Sequence, residues 1–188
     1  MGNRGCLHGH GRALGMSRWR SKLWICCVLE WRGRRRDPMT PGRWTALFFL
    51  DEATALAAGH RPCGYCRRAD YLAYAHAWQT ARELPERPRA TEMDRCLHTE
   101  RVDPRTRRQR TRPARIGALP DGAVVWYGSE PALVLGGAVL PWTFTGYRDA
   151  VRPPDRDTDV DLLTPPSTIA VLAAGYKPLL HPSAYRHV

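Results

Sequence analysis

Apolar runs alternate along the chain with short clusters of proline, glycine and arginine. Near the N-terminus, KLWICCVLEW (residues 22–31) and TALFFL (residues 45–50) are rich in aromatic and β-branched residues. Such runs are typical of buried strands, and we predict a strand in each. The basic segment RGRRRDPMTPGRW separates them, and its prolines at Pro38 and Pro41 indicate a loop.

Two helices are predicted around the centre of the N-terminal half. Asp51 is a typical N-cap for EATALAA, and Gly59 is a typical residue to end that helix. The segment RRADYLAYAHAWQTARE then shows a helical period. Its apolar face consists of Tyr71, Tyr74, Ala75 and Trp78.

The second half of the chain consists of a segment rich in proline and arginine, followed by a β-rich part. Residues 84–118 are rich in proline and arginine, which predicts a solvated loop or a flexible arm. GAVVWYG, PALVLGG and AVLPWTF follow as predicted strands, and RPPDRDTDVD as an acidic loop. A last helix, STIAVLAA, opens on prolines and ends at Gly175. The pattern divides the chain into residues 1–83, an arm over 84–118 and a β-rich part over 119–188.

One short pattern occurs twice. ALAAGHRP (residues 55–62) and VLAAGYKP (residues 171–178) share a helix end, a glycine, a cation and a proline. Repeated helix-capping chemistry explains this similarity. The alternative is a pair of related copies, of which the second has lost its cysteines.

Charge points to the class of partner. The chain has 29 Lys and Arg against 18 Asp and Glu, a net charge of +11, and only two lysines. Arginine binds phosphate with two hydrogen bonds and stacks on bases, so we predict a nucleic-acid partner, DNA in the first place. The predicted contacts are Arg32, Arg34, Arg35, Arg36, Arg61, Arg67, Arg68, Arg107, Arg108 and Arg110.

The tryptophans allow two interpretations. Trp19, Trp24, Trp31 and Trp44 lie among these arginines, where they could stack on bases or fill the core. The chain has no apolar run long enough for a membrane span, and its N-terminus lacks the apolar region of a secretory signal. We therefore expect a cytoplasmic protein without membrane contact, whose thiols stay reduced.

The segment GHRPCGYCRR (residues 59–68) contains the strongest chemical motif. Two cysteines, Cys63 and Cys66, lie at the entry to a predicted helix. A redox dithiol normally follows a strand directly, whereas this pair follows a helix, a glycine and Arg-Pro. That setting favours a metal site, with N–H groups of the turn donating to the sulfurs.

The stretch FFLDEATALAAGHRPCGYC (residues 48–66) resembles the zinc module of the Ada family of DNA-methylphosphotriester repair proteins. The resemblance implies that Cys63 and Cys66 bind Zn²⁺, that Arg61-Pro62 shapes the turn, and that the protein recognises or repairs damaged or modified DNA. The cysteine pair that carries methyl transfer in that family is not matched here, so that activity is not implied. From this module and the predicted elements together, we expect an α+β fold in which a small zinc-stabilised N-terminal module of strands and a helix-CxxC-helix unit packs with the β-rich C-terminal part.

The remaining zinc ligands are less well defined. Neighbouring residues of a strand face opposite ways, so only one of Cys26 and Cys27 can reach the metal, and we predict Cys27. Candidates for the last ligand are Cys6, His8, Cys96 and His98, of which we choose Cys6.

An enzymatic alternative rests on EMDRCLHTER (residues 92–101). Asp94, His98 and Glu100 form an acid–His–acid cluster close to the arginine-rich stretch PRTRRQRTRPAR of the predicted arm. A nuclease or base-excision glycosylase needs such groups to activate water, so the protein could be a hydrolase acting on DNA. A third possibility is a zinc-stapled module that binds acidic proteins.

Overall fold

A computed structural model describes residues 1–35, 37–153 and 155–186, and it shows the predicted α+β fold. The N-terminal part contains five strands of two residues each. They are β1 (Gly2–Asn3), β2 (Ile25–Cys26), β3 (Glu30–Trp31), β4 (Arg34–Arg35) and β5 (Arg61–Pro62). β1 pairs antiparallel with β2, β2 runs parallel to β5, and β3 and β4 form a separate hairpin.

The two strands predicted near the N-terminus are much shorter than expected. Residues 22–31 form two separate short strands, β2 and β3, instead of one continuous strand. Residues 45–50 form no strand beyond an isolated bridge at Leu47. Leu47 exchanges two backbone hydrogen bonds with Gly2, at 2.6 and 3.0 Å. Phe49 instead packs against the interior, with its ring centroid 4.8 Å from that of His60, whereas Phe48 is exposed.

The two helices of the N-terminal half are confirmed. α1 (Glu52–Ala57) begins at the predicted N-cap, where the Thr54 amide donates to the Asp51 carboxylate over 2.9 Å. α2 (Arg68–Ala81) buries Tyr74, Ala75 and Trp78 on one face.

Residues 84–118 are not the loop or arm that was expected. They contain α3 (Ala90–Arg101) and β6 (Arg112–Arg115). α3 buries Met93 and Leu97, which are four residues apart and so lie on one helix face. The connection after α3 is held to the protein, because the Gln109 side chain donates to the carbonyls of Ala57 and Leu163. The many prolines and arginines of the segment are typical of loops, so the sequence pattern did not indicate this helix and strand.

The β-rich part forms one antiparallel sheet. Its other strands are β7 (Val124–Tyr127), β8 (Glu130–Leu135), β9 (Ala138–Thr143), β10 (Gly146–Tyr147) and β11 (Asp159–Leu162), in the order β10-β9-β8-β7-β11-β6. The three predicted strands correspond to β7, β8 and β9. β11 lies in the predicted acidic loop, where the exposed Asp159 and Asp161 alternate with the buried Val160 and Leu162.

The last helix, α4 (Pro166–Ala173), is confirmed, and its end matches that of α1. Gly59 and Gly175 both have positive φ, at 81° and 99°. The amide after each glycine donates to a carbonyl five residues back, from His60 to Ala55 and from Tyr176 to Val171. The repeated sequence therefore has the same capping geometry in both places.

α1 connects the helices to the sheet. Its Leu56 packs in a helical core with Tyr74, Leu97 and Val171. Its Ala53 and Ala57 pack instead in a second core, which covers one face of the sheet; a third core covers the other face. None of the helices in the described ranges is long and apolar enough to cross a bilayer.

Candidate metal centre

Three cysteines meet at the ends of β2 and β5. The sulfurs of Cys27, Cys63 and Cys66 all lie within 4.8 Å of one another. Parallel pairing of β2 with β5 sets Cys26 opposite Pro62, so the next residues, Cys27 and Cys63, leave the two strands side by side. The amide of Cys63 donates to the carbonyl of Cys26 over 3.0 Å, which fixes this exit. The turn before α2 then brings back Cys66.

The adjacent cysteines face opposite ways, as their neighbouring positions predict. Cys27 joins the cluster, whereas Cys26 is buried and accepts from the Arg67 guanidinium over 3.7 Å. Burial raises the pKa of the Cys26 thiol. Cys26 is therefore a packed neutral thiol beside the cluster.

Hydrogen bonds favour a thiolate at Cys63. A hydrogen bond from the Cys27 thiol lowers the pKa of Cys63 to about 5, and backbone amides of the turn add to the effect. One of these amides is Tyr65 N–H, which lies 3.4 Å from the Cys63 sulfur. The same contact with Cys63 raises the pKa of Cys27. The thiols thus compete for protons at short range, which is the situation that a bound cation relieves.

The geometry of the cluster fits a metal ion. In a tetrahedral zinc site, ligand sulfurs about 2.3 Å from the metal lie about 3.8 Å from one another. The three sulfurs lie no more than 4.8 Å apart, so small side-chain movements would bring them to that spacing. The three thiols could therefore hold a metal ion, and the N–H donor of the turn supports the ligand sulfurs.

The predicted fourth ligand, Cys6, does not belong to the cluster. Its sulfur donates to the carbonyl of His8 over 3.5 Å, and the His8 ring itself bonds Thr45 over 2.7 Å. Cys96 bonds Glu100 and Ser167 instead. Among the described residues, no fourth Cys, His, Asp or Glu joins the three within the same distance. Cys6 and Cys96 are each followed two residues later by a histidine, but they lie in parts of the fold away from the cluster, the N-terminal segment and α3.

Arg61 and Arg67 are not available as the DNA contacts that were predicted. Arg61 is buried, and both oxygens of the Asp94 carboxylate accept from it, over 3.0 and 2.6 Å. Arg67 has a side chain only 10% exposed and donates to Glu52 over 2.8 Å. Glu52 also accepts from Tyr176 Oη over 2.7 Å, so this chain of contacts ties the cysteine turn to the C-terminal segment.

Asp94, His98 and Glu100 do not form the predicted acid–His–acid cluster. Asp94 is taken up by Arg61, and Glu100 accepts from the amide and hydroxyl of Ser167, over 3.0 and 2.5 Å. His98 packs against aromatic rings, with its centroid 5.4 Å from that of Trp19. Asp94 and His98 are four residues apart on α3, but each of the three side chains contacts a different neighbour. This observation gives no support to a hydrolytic site here.

Several predicted arginines are exposed. Arg32 lies in the hairpin turn after Trp31, with its guanidinium carbon 5.4 Å from the Trp31 ring, and Arg68 lies over Tyr71. Arg107 and Arg108 are exposed in the loop after α3, and Arg110 is half-buried. Arg36 and the side chains of Arg34 and Arg35 lie outside the described residues.

The structure also assembles a second basic site that the sequence analysis missed. A cleft of about 530 Å³ lies between the N-terminal segment and the loop after α3. Arg4, Arg101, Trp19, Trp24 and Arg107 are among its lining residues. Their positions range from 4 to 107, so no local spacing identifies them. Trp24 is buried, which supports the core interpretation for that residue.

Comparisons of the chain with protein-family models, with curated proteins and with solved structures find no match.

Proposed function

We propose that this protein is a zinc-stabilised DNA-binding protein whose target is damaged or modified DNA. The observation that carries the proposal is the three-cysteine cluster, whose turn presents the exposed Tyr65 beside Trp31. The resemblance of residues 48–66 to the Ada zinc module supports the choice of metal and of target.

Zinc is the ion that the donor set favours. Thiolates are soft ligands that suit Zn²⁺, Cu⁺ and iron–sulfur clusters. A CxxC turn whose amide donates to a sulfur, joined by one cysteine from a neighbouring strand, is typical of a structural zinc site. When bound, zinc would cross-link β2, β5 and the start of α2.

The surface next to the cluster suits a nucleic-acid strand. Tyr65 lies between the two cysteines of the turn and is 71% exposed, with its ring 5.7 Å from that of Trp31. Arg32 lies over the Trp31 ring, and Arg68, two residues after Cys66, lies over the ring of Tyr71. Exposed aromatic rings can stack on bases while arginines bind phosphates. We call Trp31, Arg32, Tyr65 and Arg68 the knuckle surface.

The proposal is tested by measuring DNA affinity against salt concentration. We expect the wild type to bind a labelled duplex with a steep salt dependence, measured by fluorescence anisotropy. The double variant Arg32→Ala/Arg68→Ala removes two phosphate contacts and should flatten the log–log slope by about 1.8, at about 0.9 per contact. Tyr65→Ala should reduce affinity for single-stranded or lesion-containing DNA more than for plain duplex.

The matched control is Arg112→Ala/Arg152→Ala, which removes the same charge from the sheet part of the chain. Arg112 lies in β6 and Arg152 between β10 and β11; both are exposed, and neither forms a salt bridge within the described residues. Equal loss of slope in both double variants would show diffuse charge attraction and contradict a specific knuckle surface. Absence of DNA binding by the wild type at low salt would overturn the proposal and favour an acidic protein partner, and strand cleavage in the assay would point to the hydrolase.

A further inference from the structure

The cleft beside Trp24 contains two enclosed guanidinium groups. The guanidinium carbons of Arg4 and Arg101 lie 3.7 and 3.9 Å from the centroid of the Trp24 ring. Arg101 is 2% exposed, and Arg4 is half-buried. Both arginines line the cleft, so it has positive charge at its wall.

Neither arginine has an acidic partner in the described part of the chain. Arg4 donates to the Ala58 carbonyl over 3.0 Å and to the His60 ring over 3.2 Å. Arg101 donates to the carbonyls of Gly59 and Lys22, over 2.6 and 2.8 Å. All these acceptors are neutral, and burial with the two nearby guanidinium groups keeps the pKa of His60 well below its usual range.

The acid that attracts Arg101 does not neutralise the pair. Asp94 attracts Arg101, but both of its oxygens accept from Arg61. The Nε atom of Arg101 is buried without a hydrogen-bond partner. Burial lowers the pKa of Arg101 to about 9 and that of Arg4 to about 10. Buried cations without a counter-charge are costly, so an anion in the cleft would stabilise the arrangement.

The rim of the cleft adds a flat aromatic surface and more positive charge. Trp19 is half-buried, and the guanidinium carbon of Arg107 lies 5.1 Å from its ring centroid. Arg108 lines the same edge. The loop that presents both arginines is held by the Asp103 carboxylate, which accepts from the amides of Arg105 and Thr106. A preformed site loses less entropy on binding.

We propose that this cleft binds a nucleoside phosphate, with the phosphate group at Arg4, Arg101 and Arg107 and the base on Trp19. Guanidinium groups match phosphate oxygens through paired hydrogen bonds, and tryptophan stacks on any base. The volume of the cleft is in the range of small-ligand sites. The ligand is either a free nucleotide or the phosphorylated end of a strand, which present the same chemistry. The site shares no residue with the knuckle surface, so it does not depend on DNA binding there.

Isothermal titration calorimetry of the metal-loaded full chain tests the proposal. The probes are deoxyadenosine monophosphate, inorganic phosphate and deoxyadenosine. We expect the monophosphate to bind best, phosphate more weakly and the nucleoside without detectable heat. Arg107→Ala should weaken the monophosphate about tenfold, because it removes a hydrogen bond between charged groups. Trp19→Ala should weaken the monophosphate but not inorganic phosphate.

Arg105→Ala is the matched control. Arg105 is exposed in the same loop, two residues from Arg107, and does not line the cleft. The control should bind like the wild type. Equal weakening in Arg105→Ala and Arg107→Ala, or no binding of the monophosphate by the wild type, would overturn the site. A Trp19→Ala protein with unchanged affinity for the monophosphate would overturn the base position.

A short single strand with and without a terminal phosphate distinguishes the two sources of the ligand. If the phosphorylated strand competes with the free monophosphate and the other strand does not, the ligand is a strand end. If neither strand competes, the ligand is the free nucleotide. This competition assay does not use the duplex. Failure of the cleft to bind the monophosphate can therefore be distinguished from failure of the knuckle surface to bind DNA.

Discussion

The Asp94 carboxylate is enclosed with the Arg61 guanidinium in the interior of the protein. The side chains are 2% and 5% exposed, and two hydrogen bonds join them. Asp94 comes from α3 and Arg61 from β5, so the pair fastens the third helix to the strand that leads into the cysteine turn. A structural role therefore accounts for an acid that the sequence pattern suggested as catalytic.

Removing this carboxylate should destabilise the fold. Asp94→Ala leaves a buried arginine without its counter-charge, and we expect a loss of about 3–5 kcal/mol in the free energy of unfolding. Asp70→Ala is the control, because Asp70 pairs with Arg67 but its side chain is 47% exposed. It should cost at most about 1 kcal/mol. Urea denaturation measures both, and equal losses would contradict the interior role of Asp94.

At the scale of elements, the ends of α1 and α4 use one capping geometry in two environments. A Cβ added at Gly175 would meet no atom within 4 Å. A Cβ added at Gly59 would lie 2.4 Å from Cδ of Arg101. The end of α1 therefore packs directly against Arg101, which lines the basic cleft.

Substitution of the two glycines by alanine should separate these effects. Both substitutions place a side chain at positive φ, so Gly175→Ala should cost about 1–2 kcal/mol. Gly59→Ala carries the same backbone cost and must also displace Arg101, so its unfolding free energy should fall further. Thermal unfolding compares them directly. Equal effects would show that Arg101 moves aside freely.

For the whole molecule, the cysteine cluster and the sheet stabilise different parts. The cluster joins β2, β5 and the start of α2, whereas the sheet has cores on both of its faces. The hydrogen bonds of Glu52 with Arg67 and with Tyr176 connect the cysteine turn to the segment after α4, whose Tyr176 packs in the helical core. Loss of metal should therefore first destabilise β2, β5 and the start of α2. The hydrogen bonds of Glu52 with Arg67 and Tyr176 should be lost afterwards.

Metal removal tests this arrangement. We expect about one zinc per chain after dialysis, by elemental analysis, and a lower Tm after chelation, because site formation contributes to the free energy of folding. Cys63→Ser should lose both metal and stability. Cys6→Ser should keep the metal, since Cys6 lies outside the cluster. A folded, metal-free wild type with unchanged Tm would contradict a metal-stapled module.

Local sequence patterns alone determined the α+β class, α1, α2, α4 and the three central strands. These features depend on residue periodicity and capping, which act over a few residues. The same locality explains the choice of Cys63 and Cys66, because a CxxC turn is short-range geometry. That Cys27 joins them depends on the pairing of β2 with β5. The pattern did not predict α3, because proline and arginine are abundant on both sides of it and are typical of loops.

Tertiary structure decided which charged groups are buried and which meet. Arg61 and Asp94 are far apart in sequence, and Arg4 and Arg101 farther still, yet each pair converges. Exposure of an arginine, unlike the start of a helix, depends on which element packs over it. For that reason the sequence predicted an abundance of positive charge, while only the folded chain separates the interior ion pair from the cleft and from the knuckle surface.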